Sequence, residues 1–410
     1  MKKILALLLA LVMALALVAC GGNNNPTPTP TPTPDSGEDT NPVKIGVVLV
    51  GDENEGYTFA HIEGIRKAAE ACGLTDDNIV WNYNIPENEE CYDKCIECVN
   101  KGCTLVITNS YSHQTYTQQA AEEHPEVEFV AMTGDTAMKS QLPNFHNAFN
   151  LTFESRYVSG IVAGMKLKEL MDAGTVTDPY IGYVGAFPYA EVVSGYTGFF
   201  LGIKSIVPEA HMDVQYTNSW FDIQEEGKAA EALMARGCVI IGQHADSTGA
   251  PKAVQTAKDK GEAVYSVGYN IDMLAAAPTA ALTSSTNDWS VFYTYLFKTF
   301  LAGETIATDW AEGYESGAVG ITALGPEVAP GTAEAVAAAE EAIKNGTLHV
   351  FDTSTFTVGG QPVTSALTFD SDGDWVNDTN EGIVDGYYHE SEYISAPSFS
   401  LRIDGITELN

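Results

Sequence analysis

Flat rings and short polar side chains recur together along this chain: Tyr57 and Phe59, Asn109 and Tyr111, Phe187, Trp220 and Asp222, His244 and Asp246, Tyr269 and Asp272, and Trp289. Rings of this kind can sandwich a planar solute, and stacking one base on one ring is worth ~1–3 kcal/mol. The amide and the carboxylates can read the solute's edge, since a carboxylate accepts from hydroxyls or N–H groups. These residue types have other uses. An Asp that precedes a helix commonly caps it, as Asp222 would before Ile223-Gln224-Glu225-Glu226. Asp246 and Asp272 could also work as acid and base in hydrolysis of a nucleoside or glycan. Against an enzyme, no nucleophile stands at a recognisable spacing from a base, and neither a GxSxG elbow nor a glycine-rich phosphate loop occurs. No catalytic residue is assigned and no cofactor is expected.

The elements that would position these residues occur twice. Ile45-Gly46-Val47-Val48 is answered by Ile181-Gly182-Tyr183-Val184, and each run leads through a loop into a helix rich in aromatics and glycine. Second strands follow at 78–84 and 211–217, third strands at 104–108 and 239–242, and fourth strands at 127–132 and 263–267. Between the second and third strands, helical patterns at 89–101 and 225–236 each stop at a glycine, Gly102 and Gly237. Short apolar strands alternating with helices predict parallel sheets covered on both faces. Two such units predict two Rossmann-like α/β lobes joined by a hinge. Ligands bind beyond the carboxyl ends of strands in open parallel sheets. Those loops carry the rings and polar groups named above, so facing lobes would gather them in one cleft.

The sequence divides further. Residues 1–19 read as a signal peptide: a Lys pair, then an apolar run shorter than the ~20 residues of a membrane span. Leu17-Val18-Ala19-Cys20 resembles a bacterial lipobox, which implies cleavage before Cys20 and lipidation of its sulfur. Residues 20–42, rich in Asn and Thr-Pro, read as a solvated tether. Lobe 1 is expected over 43–150, lobe 2 over 151–283, and a return to lobe 1 over 284–330, with crossings near Asn150, Ser284 and Leu324. Residues 331–410 form a C-terminal extension that opens with an Ala/Glu-rich helix. Against 55 Asp plus Glu stand only 20 Lys plus Arg, a net charge of −35 that excludes a nucleic-acid polymer as partner. Cys91-x3-Cys95-x2-Cys98 has the spacing of an iron–sulfur loop, but within one helix the three share a face, as a packing surface would. Asp370-Ser371-Asp372-Gly373-Asp374 with Glu381 resembles a calcium loop, with Trp375 where glycine is expected; a solvated acidic turn is the other reading. No metal site is assigned.

Five segments together carry a wider resemblance: Gly56-Tyr57-Thr58-Phe59-Ala60-His61, 181–188, Asn218-Ser219-Trp220-Phe221-Asp222, Gln243-His244-Ala245-Asp246-Ser247 and 267–273. In this order they resemble the basic membrane protein family of ABC-transporter substrate-binding lipoproteins. The resemblance implies a type I periplasmic-binding-protein fold and a lipid-anchored receptor on the extracytoplasmic face of the cell membrane. It implies an ABC permease and ATPase as partners and a purine nucleoside or base as ligand. A sugar or other small polar solute, or sensing without transport, are the alternatives.

Overall fold

The structure, a computed structural model, describes residues 43–374 and 376–410. The leader, Cys20 and the tether lie outside these residues. The first lobe runs β1 (Ile45–Val48), α1 (Gly56–Ala71), β2 (Ile79–Asn82), α2 (Glu89–Asn100), β3 (Leu105–Thr108), α3 (Gln114–Glu123), β4 (Glu128–Met132), a short α4 (Ala137–Ser140) and β5 (Phe145–Asn150). The second repeats the order after a long entry helix: α5 (Thr152–Asp172), β6 (Tyr180–Gly185), α6 (Ala190–Lys204), β7 (His211–Tyr216), α7 (Ile223–Ala235), β8 (Ile240–Gln243), α8 (Gly249–Asp259), β9 (Tyr265–Tyr269) and β10 (Ala281–Asn287). β5 and β10 hold the same place in the two sheets, which extends the duplication to a fifth strand beyond the four matched in the sequence.

The central strands β1 and β3 are buried along their whole length, as their unbroken apolar runs require. Ile45 sits opposite both Ile79 and Leu105, so β1 is central and parallel to its two neighbours. Strand order is β2-β1-β3-β4-β5 in the first sheet and β7-β6-β8-β9-β10 in the second. Both sheets therefore reverse direction beside β1 or β6, the switch point where open sheets leave a crevice.

After β10 the chain crosses back. α9 (Ser290–Leu301) packs its Phe292, Tyr293, Leu296 and Phe297 into the first lobe's core. β11 (Asp309–Glu312) then extends that lobe's sheet beside β5, while β12 (Val319–Ile321) returns to pair antiparallel with β10. The segment expected on lobe 1 as a unit, 284–330, is thus split: only about its middle lies there, because β10 runs on to Asn287 and β12 is already in the second sheet. The third crossing falls at 313–318, ahead of Leu324. The extension belongs to the second lobe. α10 (Thr332–Lys344) lies against α5, two small hairpins follow, β13 (Leu367–Phe369) with β14 (Thr379–Glu381) and β15 (Ile383–Val384) with β16 (Tyr387–Tyr388), and β17 (Ile406–Glu408) adds a parallel edge strand beside β7.

The three crossings are tied to one another. Asn150 Nδ2 donates to Asn287 Oδ1 at 3.2 Å and to the Ala318 carbonyl at 3.1 Å, and Thr152 Oγ1 donates to Asn287 Oδ1 at 3.1 Å. These two asparagines end the corresponding strands β5 and β10, so the repeat itself supplies the hinge. Behind it, α5 and α6 cross at glycines. A Cβ on Gly160 would lie 2.1 Å from the Phe199 carbonyl oxygen, and one on Gly202 would lie 2.1 Å from that of Tyr157. Only glycine allows this approach, which holds α5 under the second sheet.

Candidate functional site

The loops at the carboxyl ends of both sheets enclose a cavity of about 590 Å³. From the first lobe, the loop after β1 supplies Asp52 and Glu55, the start of α1 supplies Tyr57, the segment after β3 supplies Ser110 and Tyr111, and Thr133 follows β4. From the second, Phe187 and Glu191 follow β6, Trp220 follows β7, His244 and Asp246 follow β8, and Tyr269 closes β9. The lobes approach closely here. A Cβ on Gly56 would stand 3.3 Å from the Asp246 carbonyl oxygen, and the Tyr111 and Tyr189 rings face each other across the gap at 6.2 Å.

One wall is aromatic. Phe187 meets Trp220 edge-on at 5.2 Å and stacks on Tyr189 at 5.1 Å, and Tyr269 leans on His244 at 5.0 Å. The Arg156 guanidinium lies 3.6 Å over Tyr269 from behind and donates to the Gln243 carbonyl at 2.5 Å. It is buried beneath the cavity and does not line it. Burial and this cation push the His244 imidazole down to about 4, so it stays neutral beside Glu191 at 3.2 Å.

The carboxylates come from both lobes. Asp52, Glu55, Glu87, Glu191 and Asp246 line the cavity, and no Lys or Arg does so among the described residues. Burial raises the Asp246 carboxyl well above its ordinary range, and the facing Glu55 adds to the shift. Glu55 is raised in turn by burial although it caps α1, accepting from Tyr57 N at 2.7 Å and Thr58 N at 2.8 Å. Asn270 Nδ2 holds Asp246 Oδ1 at 2.6 Å.

Of the residues singled out in the sequence, Tyr57, Tyr111, Phe187, Trp220, His244, Asp246 and Tyr269 line this cavity, and Phe59, Asn109, Asp222, Asp272 and Trp289 do not. Asp222 caps α7 through Gln224 N and Glu225 N, both at 3.0 Å, and Asp272 caps a short turn through Leu274 N at 2.8 Å. Trp289 is 1% exposed, stacked on His61 at 4.4 Å inside the first lobe's core. Phe59 faces outward on α1. Asn109 is buried one layer back: its Oδ1 accepts from Val50 N at 2.8 Å, and its carbonyl accepts from the Tyr57 hydroxyl, so it shapes the first loop. Glu55, Glu191 and Arg156 were missed. A lone Arg156 inside the uncharged stretch 155–165 was the available signal, because an arginine on a fully buried helix must meet a partner.

The cysteine face packs. Cys91, Cys95 and Cys98 are fully buried against β1 and β3, and Cys98 is pushed up by the neighbouring Cys103 thiol and by burial. Among the described residues, the only group of three or more ligating side chains with converging atoms is Asp370, Asp372 and Asp374. Glu381, the expected last ligand of that loop, instead accepts from Ser365 Oγ at 2.5 Å and Ala366 N at 2.9 Å.

Comparison with known proteins now identifies the family. Residues 43–353 match the Bmp model, described as ABC transporter substrate-binding protein PnrA-like. The chain belongs to this family. A purine-binding protein of Brucella abortus is 31% identical over 265 residues, which cover 64% of this chain and 69% of that one. A protein of Haloferax volcanii, provisionally named an ABC transporter glucose-binding protein, is 28% identical and aligns over 78% of this chain and 76% of its own. A solute-binding protein of an ABC transporter system from Aeropyrum pernix superposes with a TM-score of 0.65 at 16% identity, covering 76% of this chain and 93% of that one. The superposition fits the type I periplasmic-binding fold, and the Bmp family is one of non-enzymatic substrate-binding proteins. No helix among the described residues is long and apolar enough to cross a membrane.

Proposed function

We propose that this Bmp-family protein captures a purine nucleoside or nucleobase between its lobes, by hinge closure, and delivers it to an ABC permease and its ATPase. The observation that carries the reading is a cleft lined by rings and by five carboxyl groups, with no basic side chain among the described residues. A planar base suits the Phe187, Trp220 and Tyr269 rings. Ribose hydroxyls and the polar edge of a base suit Asp246, Glu55 and Glu191, because a carboxylate accepts and a carboxyl that burial keeps protonated can also donate. Phosphate would meet five carboxyl groups and no cation, so nucleosides are favoured over nucleotides. The cavity volume suits a ligand of this size. The purine-binding name of the Brucella relative supports the same ligand class.

Closure is supported by the crossings tied through Asn150 and Asn287, which let the lobes move as bodies about three short segments. Anchoring through Cys20 at the extracytoplasmic face rests on the sequence reading. A sugar is the second reading, favoured by the glucose-binding name of the Haloferax relative and by rings that also serve as sugar platforms.

The test is calorimetry and thermal shift with adenosine, guanosine, adenine, glucose and adenosine monophosphate. The reading expects saturable binding of a nucleoside or base, a raised melting temperature by mass action, and at least tenfold weaker binding of the monophosphate. Binding of glucose with no response to any purine would establish the second reading in its place.

A further inference from the structure

The match to the Bmp family ends at residue 353, and 57 residues follow it. These residues are built into the second lobe. Phe356, Tyr388, Phe399 and Ile403 are buried in its core, and β17 pairs in parallel with β7. Yet the same segment grips the first lobe at two separate elements. Ser395 donates through N to Asp309 Oδ2 at 2.6 Å and through Oγ to Asp309 Oδ1, and Asp309 opens β11, the edge strand beside β5. Asp370, at the end of β13, lies 3.7 Å from Lys139 Nζ, which also stands 5.0 Å over the Phe369 ring. Lys139 is on α4, and α4 is fixed to β5 through Ala137 N, which donates to Asn147 Oδ1 at 2.6 Å.

The two ties differ in strength. Ser395 is 2% exposed, and a carboxylate that accepts two bonds from one residue is held in both position and orientation. The Lys139 pair is half-exposed and adds less. Both lie away from the cleft, because neither Asp309 nor Lys139 lines it.

These ties coexist with a cleft whose walls approach each other. The Gly56 backbone comes up against the Asp246 carbonyl, and the Tyr111 and Tyr189 rings face each other at 6.2 Å. The extension must travel with the second lobe, whereas Asp309 and Lys139 travel with the first. Asp309 is three residues ahead of Glu312, which pairs with Asn150 at the crossing, so it stands on an arm of about 10 Å. A rotation of ~15° about the crossings displaces the end of such an arm by about 3 Å, more than a hydrogen bond stretches.

We propose that residues 354–410 are an interlobe strap that favours the closed arrangement and so raises the affinity of the cleft. The strap bonds are made when the lobes are together and are lost when they part. They enlarge the fraction of ligand-free protein that is ready to bind, and apparent affinity scales with that fraction.

The experiment compares the native full chain with the double variant Asp309→Ala/Lys139→Ala by small-angle X-ray scattering without ligand and by calorimetry with adenosine. The variant is expected to show a larger radius of gyration without ligand and a Kd for adenosine raised about fivefold or more. Saturating adenosine is expected to return its radius to the native liganded value. Asp404→Asn is the control, since Asp404 accepts from Gly359 N at 3.0 Å and Gly360 N at 2.8 Å within the extension and touches no tie; both readouts should stay native. If the double variant does not fold, Ser395→Ala removes one bond of the stronger tie and should shift both readouts in the same direction. The calorimetry rests on the purine reading and the scattering does not, so a native protein that ignores adenosine defeats that reading and leaves the radius to decide the strap. An unchanged or smaller radius in the variant, an equal enlargement in Asp404→Asn, or an unchanged or lowered Kd where the native protein binds would each overturn the proposal.

Discussion

Trp220→Ala isolates the ring wall of the cleft. The indole follows β7, edge-on to Phe187 at 5.2 Å and tilted to Tyr189 at 6.1 Å and to His244 at 6.4 Å. Its main chain has a separate duty, because the Trp220 carbonyl accepts from Asp246 N at 2.8 Å. Alanine keeps that bond, so the substitution removes the ring and leaves the Asp246 loop in place. Losing one stacked face costs ~1–3 kcal/mol, or roughly 5- to 150-fold in Kd. Calorimetry with adenosine at 25 °C should therefore show a Kd raised at least fivefold, and Trp220→Phe should recover part of the loss. Trp220 is also the one tryptophan lining the cleft among the described residues, so its fluorescence should respond to adenosine in the native protein and not in the alanine variant. A Kd within twofold of native for every purine tested would refute the stacking argument.

Three further outcomes are expected. Gly160→Ala places a methyl 2.1 Å from the Phe199 carbonyl oxygen and should destabilise the second lobe by ~1–3 kcal/mol in denaturant titration; an unchanged midpoint would mean that α5 and α6 separate freely. Asn150→Ala removes the donor shared by Asn287 and Ala318, and should cost ~1–3 kcal/mol in the same titration, with Asn150→Asp failing to rescue because it cannot donate when ionised. Burial pushes Glu226 up to about 7 from an ordinary 4.5, so between these values the native protein holds a proton that the unfolded chain releases. The contribution of this group to stability accordingly falls as pH rises from about 5 to 7, and Glu226→Gln should make the decline of melting temperature over that window shallower; an identical slope would show that Glu226 ionises normally.

The chain's local chemistry determined the two-lobed plan. Runs such as IGVV and LVIT bury both faces of a strand wherever they fall, and their recurrence in a fixed order leaves few topologies. Because ligand loops follow strand ends in such sheets, the segments bearing Tyr57, Tyr111, Phe187, Trp220, His244, Asp246 and Tyr269 were also legible. Only the tertiary structure decided which polar residues face the cleft. An Asp that caps a helix and an Asp that awaits a ligand look alike in sequence, and Asp222 and Asp272 are spent on backbone N–H groups. Trp289 faces His61 because α9 crosses back onto α1, a contact between residues far apart in the chain. The same holds for Arg156 under Tyr269 and for the extension, whose last strand joins the second sheet beside β7. Periodicity reports which face of an element is buried; it carries no information on what is buried against it, and that is where this protein placed its charges.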